Sequence, residues 1–179
     1  SPMDYTQCDS TLTNIELLSP STFTSGVVTF NYTSVASGDA GDVTGMGSDN
    51  GVAAGYVIAD ELINHTDEPQ TVTYTITPVH PGVCKNGPPV TVTVTIEPTP
   101  RVFPAPMDYI QCDSTITNIA LESPSTFTSG VITFNYTSEA SGDPGDVTGM
   151  GSDNGLACGY VIAEELINHT DEPQTVTYT

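Results

Sequence analysis

From Val90 to Ile96 the chain alternates without a break, with Val90, Val92, Val94 and Ile96 separated by single threonines. Strict period-two alternation predicts a strand with one buried and one solvated face. The same pattern runs through Thr71–Ile76, where Val72, Tyr74 and Ile76 share a face, and through Val28–Thr33, where Val28, Phe30 and Tyr32 do. Tyr56, Ile58 and Leu62 also share a face, and Asp60 is the exception in that register. Clusters of Ser, Pro, Gly and Asp separate these runs. No segment carries an apolar stripe of 3.6-residue period, so no helix is predicted. About seven short strands per 104 residues predict an antiparallel β-sandwich with one buried face per sheet.

The chain repeats itself. Met3–Thr75 aligns with Met107–Thr179 at an offset of 104, and 63 of the 73 positions are identical. A unit of this length suits an independent domain rather than a solenoid repeat. The expected division is a first domain over 1–97, a proline-rich linker over 98–106, and a second copy over 107–179 whose final part is missing. Pro98, Pro100, Pro104 and Pro106 favour a stiff, extended linker. The counterpart of Ile76–Pro106 would follow Thr179. The favoured expectation is that the segment is a window from a longer polypeptide; the alternative is a last strand donated by a neighbouring chain. The exchanges between copies carry information. Leu12/Ile116, Val28/Ile132 and Val52/Leu156 keep an apolar residue of similar volume and read as core. Leu18/Glu122 and Val35/Glu139 read as exposed, and Ala40/Pro144 as a loop position.

Charge narrows the function. Asp and Glu number 22 against 2 Lys and Arg, a formal net charge of -20. Nucleic acid and anionic membrane surfaces demand the opposite sign. No apolar run approaches the ~20 residues of a membrane span. The first residues, Ser1–Asp4, lack a basic stretch, so any secretion signal is expected upstream or already removed.

An early Cys8 followed by Thr13-Asn14-Ile15, then Thr29-Phe30 and a Gly/Ser/Asp loop, opens a longer pattern. It continues through Leu62-Ile63-Asn64, Thr71–Pro78, Gly82-Val83-Cys84 and Val90–Val94. This pattern resembles the PKD-like, immunoglobulin-like domains of large secreted and cell-surface proteins of Bacteroidota. It covers copy one and the available part of copy two. Tyr32 stands at an aromatic core position of that family, and a tryptophan common in it is missing. The resemblance implies all-β, tandem immunoglobulin-like sandwiches that act as spacers in giant adhesins, gliding-motility surface proteins and extracellular fibres, often exported by the type IX system. It implies no catalytic residues and no cofactor. The expected function is a structural repeat of an extracellular fibre, stalk or adhesin, with neighbouring copies of the repeat as partners. A carbohydrate- or protein-binding module is the alternative.

The residues that could carry chemistry are few. The complete copy holds Cys8 and Cys84, and the extracellular setting implied by the resemblance favours a bridge between them; two reduced, buried thiols are the other reading. Cys112 repeats Cys8, while Cys158 replaces Ala54 and reads as a buried alanine substitute. No CxxC and no Cys/His cluster points to zinc. The Ser37–Gly51 loop offers Asp39, Asp42, Asp49 and Asn50 to a calcium ion, without EF-hand spacing, and also suits a solvated loop of Asx turns. Asp60-Glu61 and Asp67-Glu68 are adjacent pairs, whose members point to opposite faces of a strand and suit surface solubility better than catalysis. His65 has no nucleophile motif beside it, and no GxSxG elbow is present, so no enzyme is expected. Asn31 and Asn64, with Asn135 and Asn168, head N-glycosylation sequons that read as accidental in a bacterial protein. Asp9-Ser10-Thr11 and Asp113-Ser114-Thr115 resemble a Bacteroidota O-glycosylation site, with Ser10 and Ser114 as acceptors.

Overall fold

The computed structural model describes residues 4–80, 82 and 85–179. The chain divides into two units, Ser1–Thr99 with Ser125–Thr128, and Pro100–Pro124 with Ser129–Thr179. The described residues form strands and loops, with no helix.

Unit 1 runs β1 (Tyr5–Cys8), β2 (Thr11–Leu12), β3 (Ile15–Glu16), β4 (Thr29–Ala36), β5 (Val43–Thr44), β6 (Asp49–Ala53), β7 (Val57–Ile58), β8 (Glu61–Asn64), β9 (Gln70–Val79) and β10 (Val90–Glu97). Five of these make one sheet in the order β1-β10-β9-β4-β6. All its pairs are antiparallel except β1 with β10, which is parallel. The alternating runs set the register. Val92 lies opposite Tyr74 and Val94 opposite Val72, so both strands turn the same parity inward. Val72, Tyr74, Val92, Val94 and Ile96 are completely buried. The other strands form β2-β8-β5 and β3-β7. Ile15, Leu17, Ile58 and Leu62 from these strands and their ends join Phe30, Tyr32 and the β9–β10 residues in one apolar core.

Two of these pairings stop at Thr13 and Asp60, and a hydroxyl takes over there. The Thr13 Oγ1 donates to the Ile58 carbonyl (2.8 Å) and accepts from the Asp60 N–H (2.9 Å). The Thr13 N–H still donates to the Asp60 carbonyl (2.9 Å). A buried threonine therefore satisfies backbone groups that an interrupted ladder leaves open.

Unit 2 runs β11 (Phe103–Ala105), β12 (Thr115–Ile116), β13 (Ile119–Glu122), β14 (Thr133–Ala140), β15 (Val147–Thr148), β16 (Ser152–Ala157), β17 (Tyr160–Ile162), β18 (Glu165–Asn168) and β19 (Val176–Tyr178). Its sheets are β11-β13-β17, β12-β18-β15 and β16-β14-β19. Ile119, Leu121, Phe134, Tyr136 and Ile162 form its core, with Ile132, Leu156 and Tyr178 packed against them. The Thr13 arrangement recurs, with the Thr117 Oγ1 donating to the Ile162 carbonyl (3.0 Å) and accepting from the Glu164 N–H (2.8 Å).

Three sequence expectations change. Leu12 and Ile116 are not core; they are 63% and 65% exposed. The inward place in that stretch belongs to Thr13, so by strand parity its neighbour faces water. Cys158 is not a buried alanine substitute but an exposed turn residue. The 98–106 stretch is only partly a linker, because Phe103–Ala105 pair with β13. Val28 and Val52 are buried, Leu18 and Val35 exposed, as the exchanges indicate.

Candidate functional site

The acidic loop of unit 1 is built from local turns. The Asp42 Oδ2 accepts from the Asp39 N–H (2.8 Å), while the Asp42 N–H donates to the Asp39 carbonyl (3.1 Å). The Asp49 Oδ1 accepts from the Asn50 N–H (2.7 Å) at the start of β6. Gly45 has φ +88°, and a Cβ there would lie 1.8 Å from the Glu61 carbonyl oxygen, so the loop passes β8 at a distance only glycine allows. His65 ties the loop down from the other side. Its N–H donates to the Asp42 carbonyl (2.9 Å), and its Nε2 lies 2.8 Å from the Thr44 Oγ1. Among the described residues, no three His, Cys, Asp or Glu side chains converge on a point that could hold a metal. Asp39 and Asp42 thus share a turn, and of the four proposed oxygen donors Asp42 and Asp49 turn a carboxylate oxygen to a backbone N–H of the loop.

Asp60, the exception in the strand pattern, is the hub of a polar network. Its Oδ2 accepts from the Gly47 N–H (2.7 Å) and from the Tyr74 hydroxyl (2.8 Å). Tyr74 is completely buried, with its ring 6.4 Å from that of Tyr32. Burial first, then the Asp60 carboxylate, drives the Tyr74 phenol far above its ordinary pKa. Glu61 is exposed, so the Asp60-Glu61 pair offers no shared site. In unit 2 the carboxylate is Glu164. Its extra methylene lets Oε1 take the Tyr136 hydroxyl (2.9 Å) and Oε2 the Tyr178 hydroxyl (2.8 Å). The N–H of Gly151, the counterpart of Gly47, then donates to the Ser138 hydroxyl (3.0 Å). Burial, then Glu164, pushes the Tyr136 phenol up to about 12. This network joins residues that carry no recognisable catalytic spacing, which is why sequence reading missed it.

Asn64 is equally occupied. Its Nδ2 donates to the carbonyls of Glu68 (2.8 Å) and Ile96 (3.1 Å), and its Oδ1 accepts from Thr66. A buried amide with both hydrogens engaged is closed to N-glycosylation. Ser10 and Ser114 are different. Both are exposed, and both hold φ 55° in the turn that follows Cys8 or Cys112. Their N–H groups donate to Leu62 and Leu166 carbonyls, both at 3.0 Å. The neighbouring Asp113 carboxyl lies below the usual carboxylate range, because it accepts from the Asn168 N–H first of all. Cys8 is free and exposed, as are Cys112 and Cys158. Its expected partner, Cys84, lies outside the described residues.

Unit 1 also opens a groove of about 650 Å³ beside β3, floored by Leu17, Leu18, Phe23, Val28, Pro78 and Val79. His80 stands against Phe23 edge-on, with ring centres 4.5 Å apart. Glu16 and Lys85 supply charge to its lining. Among the described residues, the groove's lining is mainly apolar and brings no two carboxylates together, which is the chemistry of a contact surface.

Residues 6–100 match the family model of the PKD-like domain. The chain belongs to the PKD-like domain family. No curated protein and no solved structure matches it. The PKD-like match spans the three sheets of unit 1 from Thr6 onward, the Thr13 bridge and the Asp60 network. PKD-like domains are typically extracellular modules of the immunoglobulin type and generally serve binding or structural roles. Among the described residues of this PKD-like chain, no helix is long and apolar enough to cross a membrane.

Proposed function

We propose that this PKD-like chain is a structural repeat segment of an extracellular fibre, stalk or adhesin that mediates surface attachment. One observation carries the reading: the near-identity of the two copies, 63 positions of 73. Tandem copying lengthens an array without altering its units, as a spacer requires. The exchanges fit a spacer. Exposed Leu18 and Val35 become glutamates in the second copy, whereas the Asp60/Glu164 exchange retains the carboxylate that anchors the buried tyrosine. The charge of -20 keeps a long array soluble and, over the roughly 8 Å Debye length of physiological salt, self-repelling. Antiparallel ladders such as β4–β9, eight residue pairs long, suit a load-bearing domain.

Electron microscopy of the intact assembly at the cell surface tests this. Beaded filaments with a repeating domain spacing are expected. Isolated globular particles with no serial arrangement would overturn it. Saturable retention on a glycan array would favour the binding-module reading instead.

A further inference from the structure

The chain contains three Asn-Gly pairs, at 50–51, 86–87 and 154–155. Asparagine is thermolabile, and most of all before glycine. The glycine nitrogen attacks the asparagine side-chain carbonyl carbon, and glycine has no Cβ to obstruct the approach. In the folded protein all three glycine N–H groups are hydrogen-bonded. Gly87 donates to the Pro78 carbonyl (3.0 Å), and Gly51 and Gly155 donate to side chains.

The side-chain cases sit at a bulge that recurs in both units. On β4, Phe30 lies opposite Val52 and Tyr32 opposite Asp49, so Asn31 alone faces Asn50 and Gly51 on β6. In unit 2, Asn135 faces Asn154 and Gly155 in the same way, between Phe134 opposite Leu156 and Tyr136 opposite Asp153. A bulge leaves its extra residue without a ladder bond. A side chain supplies the missing acceptor here. The Gly51 N–H donates to the Asn31 Oδ1 (2.9 Å), and the Gly155 N–H to the Asn135 Oδ1 (2.9 Å). Gly51 has φ +73°, and a Cβ there would meet nothing within 4 Å, so conformation rather than crowding calls for glycine. Asn50 and Gly51 are both exposed, as are Asn154 and Gly155, so packing does not shield either pair.

We propose that Asn50-Gly51 and Asn154-Gly155 are latent succinimide-forming sites, held closed by the Asn31 and Asn135 side chains. The reaction needs the glycine nitrogen as its anion. Its proton passes to hydroxide, the nitrogen bonds to Cγ of the asparagine, and Nδ2 takes a proton from water and leaves as ammonia. Water then opens the ring to aspartate or isoaspartate. An acceptor on the N–H favours the neutral amide and would face the lone pair of the anion, so it opposes ionisation. The Asp49 Oδ1, on the Asn50 N–H at 2.7 Å, sets a negative charge one residue away, and Asp153 does the same on Asn154 at 2.8 Å. Isoaspartate would route the backbone through a side-chain carbon and disturb the pairing of Phe30 with Val52, both buried. Asn31 and Asn135 head sequons, yet in the fold their side-chain oxygens serve the backbone. The clamp operates in a single unit as well as in an array, so it does not depend on the filament reading.

The test is the deamidation rate of the full chain at mildly alkaline pH, read by peptide mapping. Val52/Leu156 and Ala54/Cys158 make the peptides of the two copies distinguishable, so unit 2 serves as an internal control. In the native chain Asn50 and Asn154 are expected to react at least about fivefold slower than in denaturant, the factor that one hydrogen bond of ordinary strength gives. Asn31→Leu, close in size but without an acceptor, is expected to speed Asn50 about fivefold and to leave Asn154 unchanged. Asn31→Asp keeps an acceptor and is expected to hold the native rate. Tyr74→Phe weakens the core of unit 1 away from the bulge and is expected to leave Asn50 at its native rate, which separates the clamp from general loosening. Equal rates in native and denatured chain would overturn the clamp, and that comparison stands even where Asn31→Leu fails to fold. A native rate in Asn31→Leu, or equal acceleration by Asn31→Asp or Tyr74→Phe, would overturn it as well.

Discussion

Removing the Asp60 carboxylate is the sharpest test of what holds the sandwich together. In Asp60→Ala, the Gly47 N–H and the Tyr74 hydroxyl lose their shared acceptor. Tyr74 is completely buried, so its hydroxyl has no water to turn to. Leaving a buried donor unsatisfied costs about 1–3 kcal/mol, and bonds to a charged acceptor lie at the upper end. Asp60→Ala is therefore expected to cost about 2–5 kcal/mol. Tyr74→Phe leaves the carboxylate its Gly47 bond and is expected to cost about 1–2 kcal/mol. The double variant removes donor and acceptor together, so it should cost less than the sum by roughly 1 kcal/mol or more. Asp60→Glu, the exchange present in unit 2, keeps an acceptor within reach of a buried tyrosine and is expected to cost less than about 1 kcal/mol. Denaturant unfolding of the full chain, followed by tyrosine fluorescence, measures all four. A cost below about 0.5 kcal/mol for Asp60→Ala, or strict additivity in the double variant, would refute the network as a stabilising unit.

Gly45→Ala is expected to destabilise unit 1 by more than about 2 kcal/mol, since it combines a positive φ with a Cβ driven into the Glu61 carbonyl; thermal unfolding checks it. High pH should unfold the protein from the tyrosines outward. Tyr136 has its folded pKa raised from 10.0 to about 12, so its contribution is complete below pH 10 and is lost as pH rises toward 12. Absorbance at the phenolate band should then rise together with loss of structure rather than before it. Millimolar calcium, compared with chelator, is expected to leave the melting temperature unchanged, because no three carboxylates converge among the described residues. A rise of several degrees would restore the Asp39–Asn50 loop as an ion site.

The sandwich was legible in the sequence wherever burial alone decides which way a side chain points. Val90–Ile96 and Val72–Ile76 alternate strictly, because an apolar residue on the wrong face would lose its burial, and the pairing of Val92 with Tyr74 follows that parity. Leu12 was misread because conserved volume stood in for burial. Counting back from Leu17 and Ile15 puts Thr13 inward, at 2% exposure, and Leu12 outward. That signal was present and was hidden by the expectation that threonine faces water. The linker was misread for a related reason. Pro104 suggests a tether, yet it occupies the one ladder position that asks for no N–H.

The polar interior was not legible, because its partners are distant along the chain. Thr13 meets Asp60 across 47 residues, and Asn64 reaches Ile96 across 32. No local pattern announces such bonds, since each depends on a register that only the folded sheets define. Comparison of the copies supplies the missing handle. Surface positions such as Leu18 and Val35 change their chemistry freely. Position 60 changes only the length of its side chain, and the tyrosine hydroxyl at the other end stays where it was, on Tyr74 or Tyr178. A carboxylate that survives duplication in an inward register, amid exchanges of charge elsewhere, marks a buried acceptor. The fold here depends on those few acceptors as much as on the valines, because an unpaired phenol between two sheets would oppose the packing that the alternation drives.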